Sequence, residues 1–135
     1  MVFILKNLAV GNLRDAEDCP SSISALLNVA DDLKSYKTKK KYHRIPLVDG
    51  WPIPGEKMRE AIQWIKKHII MDNILVFCTF GAGRSASVVI GYLCSIGFNY
   101  EEAVKFVSFK KPDIVPLPLL AESIKRALKR RPYLR

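Results

Sequence analysis

The chain has 135 residues, of which 49% are hydrophobic, and its 22 Lys and Arg against 13 Asp and Glu give a formal net charge of +9. This composition excludes a disordered chain, and no apolar run is long enough to cross a membrane. The length predicts one domain over residues 1–135. The N-terminal run is too short and too quickly polar for a signal peptide, so we expect a cytoplasmic protein. The three cysteines show no close paired spacing, which fits reduced thiols.

Short β-rich runs come first along the chain, and longer helical patterns dominate its second half. Apolar patterning predicts strands at residues 2–5, 8–10, 25–29, 42–48 and 74–77. It predicts helices at residues 55–70, 85–96, 101–109 and 119–129, and a short helical turn near residues 14–18. We therefore predict an α/β fold in which helices flank a central, mostly parallel, twisted sheet of about five strands.

The most informative segment is the loop between the last predicted strand and the helix after it. Cys78 ends the apolar run, Gly81 and Gly83 follow, and Arg84 and Ser85 open the helix. A helix N-terminus under a glycine-containing loop presents unpaired N–H groups that can bind an oxyanion and also favour a thiolate. The planar fork of Arg84 can bind two phosphoryl oxygens, and the Ser85 hydroxyl can donate to the sulfur.

The run Cys78-Thr-Phe-Gly-Ala-Gly-Arg84-Ser85 resembles the Cys-x5-Arg-Ser/Thr signature loop of the cysteine-dependent protein tyrosine phosphatases, especially their small dual-specificity branch. Segments 8–13, 25–30, 45–49 and 97–103 also resemble that family, so the likeness spans nearly the whole chain. The resemblance implies a nucleophilic Cys78 and a phosphate-binding loop. That loop would consist of Thr79, Phe80, Gly81, Ala82, Gly83 and Arg84.

A general acid is also required, because the ester oxygen that leaves phosphorus needs a proton. Asp49 lies 29 residues before Cys78, in a loop that would leave the parallel sheet at the same edge as the Cys78 loop. The family resemblance implies the same position for its acid. The alternative interpretation is an aspartate that simply forms a turn before Gly50.

Two residues depart from the family's pattern. Phe77 stands where the family usually places a histidine directly before the nucleophile. Leu117 stands where many relatives have an asparagine after the proline that Pro116 matches.

The sequence thus predicts a phosphomonoester hydrolase that needs no metal or cofactor. Its predicted substrate is phosphotyrosine in proteins. The short chain also predicts a shallow pocket, which would accept phosphoserine and phosphothreonine as well. Three other functions remain as alternatives: a catalytically weak phosphate-binding module, a phosphoinositide or RNA 5′-phosphatase, and a rhodanese-like sulfurtransferase. The absence of lysine between Cys78 and Arg84 disfavours the lipid substrate. We expect a monomer that holds phosphate or another oxyanion in its site and binds no nucleic acid.

The chain also carries two clusters of basic residues. The basic residues concentrate at residues 37–44 and 125–135. We interpret them as solvated surface, with attraction of anionic substrates as the alternative.

Cys19 and Cys94 are interpreted as structural, and the alternative is that either one is a resolving thiol for an oxidised Cys78.

Overall fold

A computed structural model describes residues 1–33 and 36–129 as one mixed five-stranded sheet with five helices. The last residues of the basic tail, 130–135, lie outside the described residues. The strand bounds are β1 Val2–Leu5, β2 Leu8–Asn12, β3 Ala25–Ala30, β4 Lys41–Leu47 and β5 Ile74–Cys78. The spatial order of the strands is β1-β2-β5-β3-β4, with only β1 antiparallel to its neighbour. The predicted α/β fold with a mostly parallel sheet is confirmed.

Strand β5 lies at the centre of the sheet and positions the functional loop. All five of its residues are buried, as expected for a central parallel strand covered on both faces. Its neighbours β2 and β3 run parallel to it, with Asn12 beside Cys78 and Asn28 beside Phe77. The chain segments that follow these strands therefore meet at one edge of the sheet, where parallel sheets place their ligand sites.

The helices are distributed unequally over the two faces of the sheet. The helix bounds are α1 Leu13–Glu17, α2 Gly55–His68, α3 Arg84–Ser95, α4 Tyr100–Lys110 and α5 Leu120–Leu128. Helices α2 to α4 contact strands on one face, and α5 packs on α2 and α3. Helix α1 lies against β2 and β5 on the other face. That second face is completed by loop side chains that include Ile23 and Tyr36.

Local sequence explains where these helices begin and what they bury. Helix α4 starts at a capping box, in which Asn99 and Glu102 exchange side-chain and backbone hydrogen bonds of 2.9 and 3.0 Å. Helix α2 buries the stripe of apolar residues spaced for one helix face: Met58, Ala61, Ile62 and Ile65. Within residues 1–33 and 36–129, every helix falls short of the length and hydropathy of a membrane span.

Candidate active site

The loop between β5 and α3 contains a glycine in the left-handed region that lies close against β2. Gly81 has a φ of +79°, and a Cβ at this position would lie 3.0 to 3.1 Å from backbone atoms of Gly11 and Asn12. Glycine has no Cβ and adopts positive φ at little cost, so this residue allows the loop to pack closely against β2. The tight turn that the sequence predicted after Cys78 therefore packs directly against the backbone of β2.

Cys78 ends β5 with its sulfur facing donors from the loop. The Sγ atom lies 3.2 Å from the amide nitrogen of Gly81, which donates to it, and 3.3 Å from Oγ of Ser85. Both Cys78 and Ser85 are buried. A backbone amide and a hydroxyl thus lie within hydrogen-bonding distance of the sulfur.

Arg84 is the first residue of α3, and its guanidinium is buried beside the loop. Its side chain is 2% exposed. The Nη1 atom lies 3.1 Å from Oδ1 of Asp31, 3.0 Å from Oδ1 of Asp32 and 3.2 Å from the carbonyl oxygen of Leu47. The Nε atom is buried and has no hydrogen-bond partner among the described residues. A buried unpaired donor is costly, and an oxyanion in the loop would accept this N–H.

Asp31 and Asp32 are site residues that the sequence interpretation missed. Oδ2 of Asp32 accepts a hydrogen bond of 2.8 Å from the Thr79 hydroxyl, while its Oδ1 pairs with Arg84. One carboxylate therefore links the first residue of the loop to the arginine that follows it. Partial burial acts to raise the pKa of Asp32, but the bonds from Thr79 and Arg84 outweigh it and lower that pKa.

Asp49 is brought to the same cavity as Cys78 and Arg84. The cavity has a volume of about 370 Å³, and the loop after β4 supplies one of its walls. The Asp49 carboxylate is exposed, and a Cβ on Gly83 would lie 3.5 Å from its Oδ1. The residues that line this cavity are Asp49, Gly50, Cys78, Phe80, Ala82, Gly83, Arg84, Val115, Pro116, Leu117 and Pro118.

Other acidic residues hold structural positions. Asp72 forms a salt bridge of 2.9 Å with Lys41 beside the start of β5, at the opposite edge of the sheet. Asp113 pairs with Lys111 in the segment after α4. The part of the chain that the structure describes contains no group of three His, Cys, Asp or Glu side chains arranged to hold a metal ion.

Comparison with known proteins identifies the family. The model of the dual specificity phosphatase catalytic domain matches residues 12–127. The chain belongs to this family. It is 29% identical over 114 residues to human dual specificity protein phosphatase 22, an alignment that covers 77% of this chain and 60% of that protein. The chain thus spans about three fifths of this curated relative.

Solved structures share the fold of this dual specificity phosphatase domain. A crystal structure of Tk-PTP in its active form superposes with a TM-score of 0.81 and 22% identity, covering 96% of each chain. A crystal structure of DUSP15 also gives 0.81, with 23% identity over 93% of this chain and 85% of that one. At these identities, the likeness establishes the fold alone. The predicted membership in the small dual-specificity branch is confirmed.

Phe77, the first departure from the phosphatase pattern, belongs to the core of the sheet's α1 face. It is fully buried, and its ring centroid lies 5.2 Å from that of Tyr36. Successive strand residues point to opposite faces, so Phe77 packs in one core cluster and Cys78 in the other. The Cys78 sulfur accepts its hydrogen bond from the Gly81 amide, and the thiol donates to the hydroxyl oxygen of Ser85.

Leu117, the second departure, contributes through its backbone. Its amide donates a 2.9 Å hydrogen bond to Oγ of Ser87 in α3, and its side chain is buried. Two residues earlier, the Val115 amide donates a 2.8 Å bond to the carbonyl oxygen of Ala82. The segment before α5 therefore bonds to the loop through the Val115 amide and to α3 through the Leu117 amide.

The other two cysteines lie in less reactive surroundings. Burial raises the pKa of both the Cys19 and Cys94 thiols, which lowers their thiolate fraction. Cys94 also lies ten residues along α3 from Arg84, roughly 15 Å of helix. A disulfide requires Cα atoms within about 7 Å, so Cys94 does not suit the role of a resolving thiol for Cys78.

Proposed function

We propose that this domain is a metal-independent phosphomonoester hydrolase that acts on phosphotyrosine in proteins through a cysteinyl-phosphate intermediate. Phosphoserine and phosphothreonine remain the second substrate class. The observation that carries the proposal is the convergence of three side chains on one cavity: Cys78 with donors on its sulfur, Arg84 with a buried unpaired N–H, and Asp49 at the rim.

In the first step, the Cys78 thiolate attacks phosphorus in line with the ester oxygen. The S–P bond forms as the P–O bond breaks, and protonated Asp49 gives its proton to the leaving oxygen. The backbone amides of residues 79–84 and the Arg84 guanidinium stabilise the three equatorial oxygens.

In the second step, the Asp49 carboxylate removes a proton from a water molecule, whose oxygen attacks phosphorus. The S–P bond breaks, inorganic phosphate leaves and the sulfur returns to the thiolate. The Ser85 hydroxyl, 3.3 Å from Sγ, donates to the departing sulfur and makes it a better leaving group. Asp49 ends the cycle protonated and ready for the next ester.

The cavity argues against the more highly charged substrates. Among the described residues that line it, Arg84 is the single cation, and the nearby Asp31 and Asp32 already pair with its Nη1 atom. A phosphoinositide or a 5′-triphosphate carries several phosphates, which call for several cationic partners. The family match also favours a phosphatase over a sulfurtransferase.

The remaining alternative is a domain that binds phosphate groups but hydrolyses them weakly. Hydrolysis of para-nitrophenyl phosphate in the presence of EDTA separates the two functions and tests the metal independence. We expect Cys78→Ser to abolish turnover while phosphate and tungstate still bind, because the loop amides and Arg84 remain. Cys94→Ser is the matched control and should retain turnover, since Cys94 lies at the far end of α3.

Two outcomes would contradict the proposal. Wild-type protein without detectable hydrolysis, but with bound tungstate, would favour the binding module. Turnover that persists in Cys78→Ser would remove the covalent mechanism.

A further inference from the structure

The cavity above Cys78 has a polar floor and apolar walls. Cys78 and Arg84 form the floor, while Phe80 stands on one wall and Val115 with its neighbouring prolines contributes apolar lining from another segment. Phe80 is 72% exposed and Val115 is 66% exposed. Large apolar side chains that stay exposed at a cleft mark a surface for a partner or ligand.

The cavity has room for more than a phosphoryl group. Its volume is about 370 Å³. A phosphoryl group has the bulk of about four water molecules, roughly 120 Å³ at about 30 Å³ each. Most of the cavity is therefore left for the organic part of the ester, and that part faces predominantly apolar surface.

The loop anchors Phe80 without using its ring. The neighbouring Thr79 is fixed by its bond to Asp32, and Gly81 is fixed against β2, so the backbone on both sides of Phe80 is held in place. On the opposite side, the Val115 amide bonds to Ala82. Two exposed apolar residues on anchored backbone of two different segments thus line one cavity.

We propose that Phe80 and Val115 make this site selective for aromatic phosphate esters, so that phosphotyrosine is preferred to phosphoserine and phosphothreonine. The inference rests on the proposed phosphatase function and adds its substrate preference. An aryl group gains contact with both side chains and can pack against the Phe80 ring, whereas the short alkyl group of serine or threonine gains little. The single cation in the described lining suits one phosphate on an otherwise uncharged group.

The test compares two phosphopeptides that differ only in phosphotyrosine against phosphothreonine. We expect wild-type protein to have the higher kcat/KM for the phosphotyrosine peptide. Phe80→Ala should reduce the ratio of the two kcat/KM values about tenfold, and Val115→Ala about threefold, because each removes apolar contact with the aryl ring. Phe80→Leu keeps an apolar side chain and should restore part of the ratio.

Phe109→Ala is the matched control, since Phe109 is 87% exposed on α4 and does not line the cavity. It should leave the ratio at the wild-type value. Equal losses on both peptides in Phe80→Ala would mean that the ring supports the loop and does not select, which overturns the inference. An equal or higher wild-type kcat/KM for phosphothreonine also overturns it, yet leaves the proposed function standing. If wild-type protein hydrolyses neither peptide nor para-nitrophenyl phosphate, the proposed function itself fails.

Discussion

Gly81→Ala tests whether the phosphate loop depends on its close approach to β2. The substitution places a methyl group on a residue with a φ of +79° and within 3.0 Å of the Gly11 backbone. Left-handed backbone costs an alanine about 1–2 kcal/mol. Forcing a methyl group against backbone costs a further 1–3 kcal/mol or so, as overpacking does in protein cores.

Gly50→Ala separates these two effects on stability. Gly50 has a φ of +76°, almost the same as Gly81, but no atom lies within 4 Å of its Cβ position. Both variants therefore carry the conformational cost, and only Gly81→Ala carries the steric one. We expect the free energy of unfolding, from urea denaturation, to be lower in Gly81→Ala than in Gly50→Ala by about 1–3 kcal/mol.

Gly81→Ala should also reduce catalysis, because the Gly81 amide lies 3.2 Å from the Cys78 sulfur. Displacing one such donor should lower kcat for para-nitrophenyl phosphate at least about tenfold, less than the 10²–10³ seen when an oxyanion donor is removed outright. Gly97→Ala is the control for activity, since its strain at φ +119° lies in the turn after α3. Equal unfolding free energies for Gly81→Ala and Gly50→Ala would refute the steric argument.

Three further predictions concern single side chains. Thr79→Val removes the hydroxyl that bonds to Asp32 and should lower kcat/KM about fivefold, the worth of about 1 kcal/mol, whereas Thr79→Ser should restore it. Asp49→Ala should lower kcat by about 10²-fold or more for alkyl phosphates and by less for para-nitrophenyl phosphate; equal losses would contradict its role as the acid. The bond from Lys41 is the main cause of the lowered pKa of Asp72, and burial opposes it. The ionised Asp72 carboxylate therefore stabilises the folded protein above about pH 4, and this stabilisation is lost as the pH falls through the pKa of Asp72 in the folded state. Asp72→Asn should accordingly reduce the free energy of unfolding by about 1–2 kcal/mol at pH 7. When the measurement is repeated at decreasing pH, the difference between the variant and the wild type should disappear in acid.

Much of the fold could be predicted because local pattern and global structure agree. The apolar run before Cys78 is a buried central strand, and the helix predicted from residue 85 begins at Arg84. The predicted helix at residues 55–70 spans Gly55–His68. The loop glycines and the arginine after them predict an anion site, because few other roles need that combination of residues.

The partners of Arg84 could not be predicted because they depend on strand order. Asp31 and Asp32 follow β3, and only the adjacency of β3 and β5 brings them to the loop. Two acidic residues directly after a buried strand were the available signal. Phe77 is similar, since strand alternation explains why it packs on the α1 face while Cys78 faces the other core.

The carboxylate of Asp32 binds both Thr79 and Arg84, the residues at the two ends of the phosphate loop. The two ends of the loop are thereby held by the same carboxylate, and between them Gly81 holds the turn against β2. None of these contacts uses the Phe80 ring, so that ring can change without altering them. Substrate preference in this domain should thus be open to evolution or engineering at one loop position while the hydrolytic machinery stays constant.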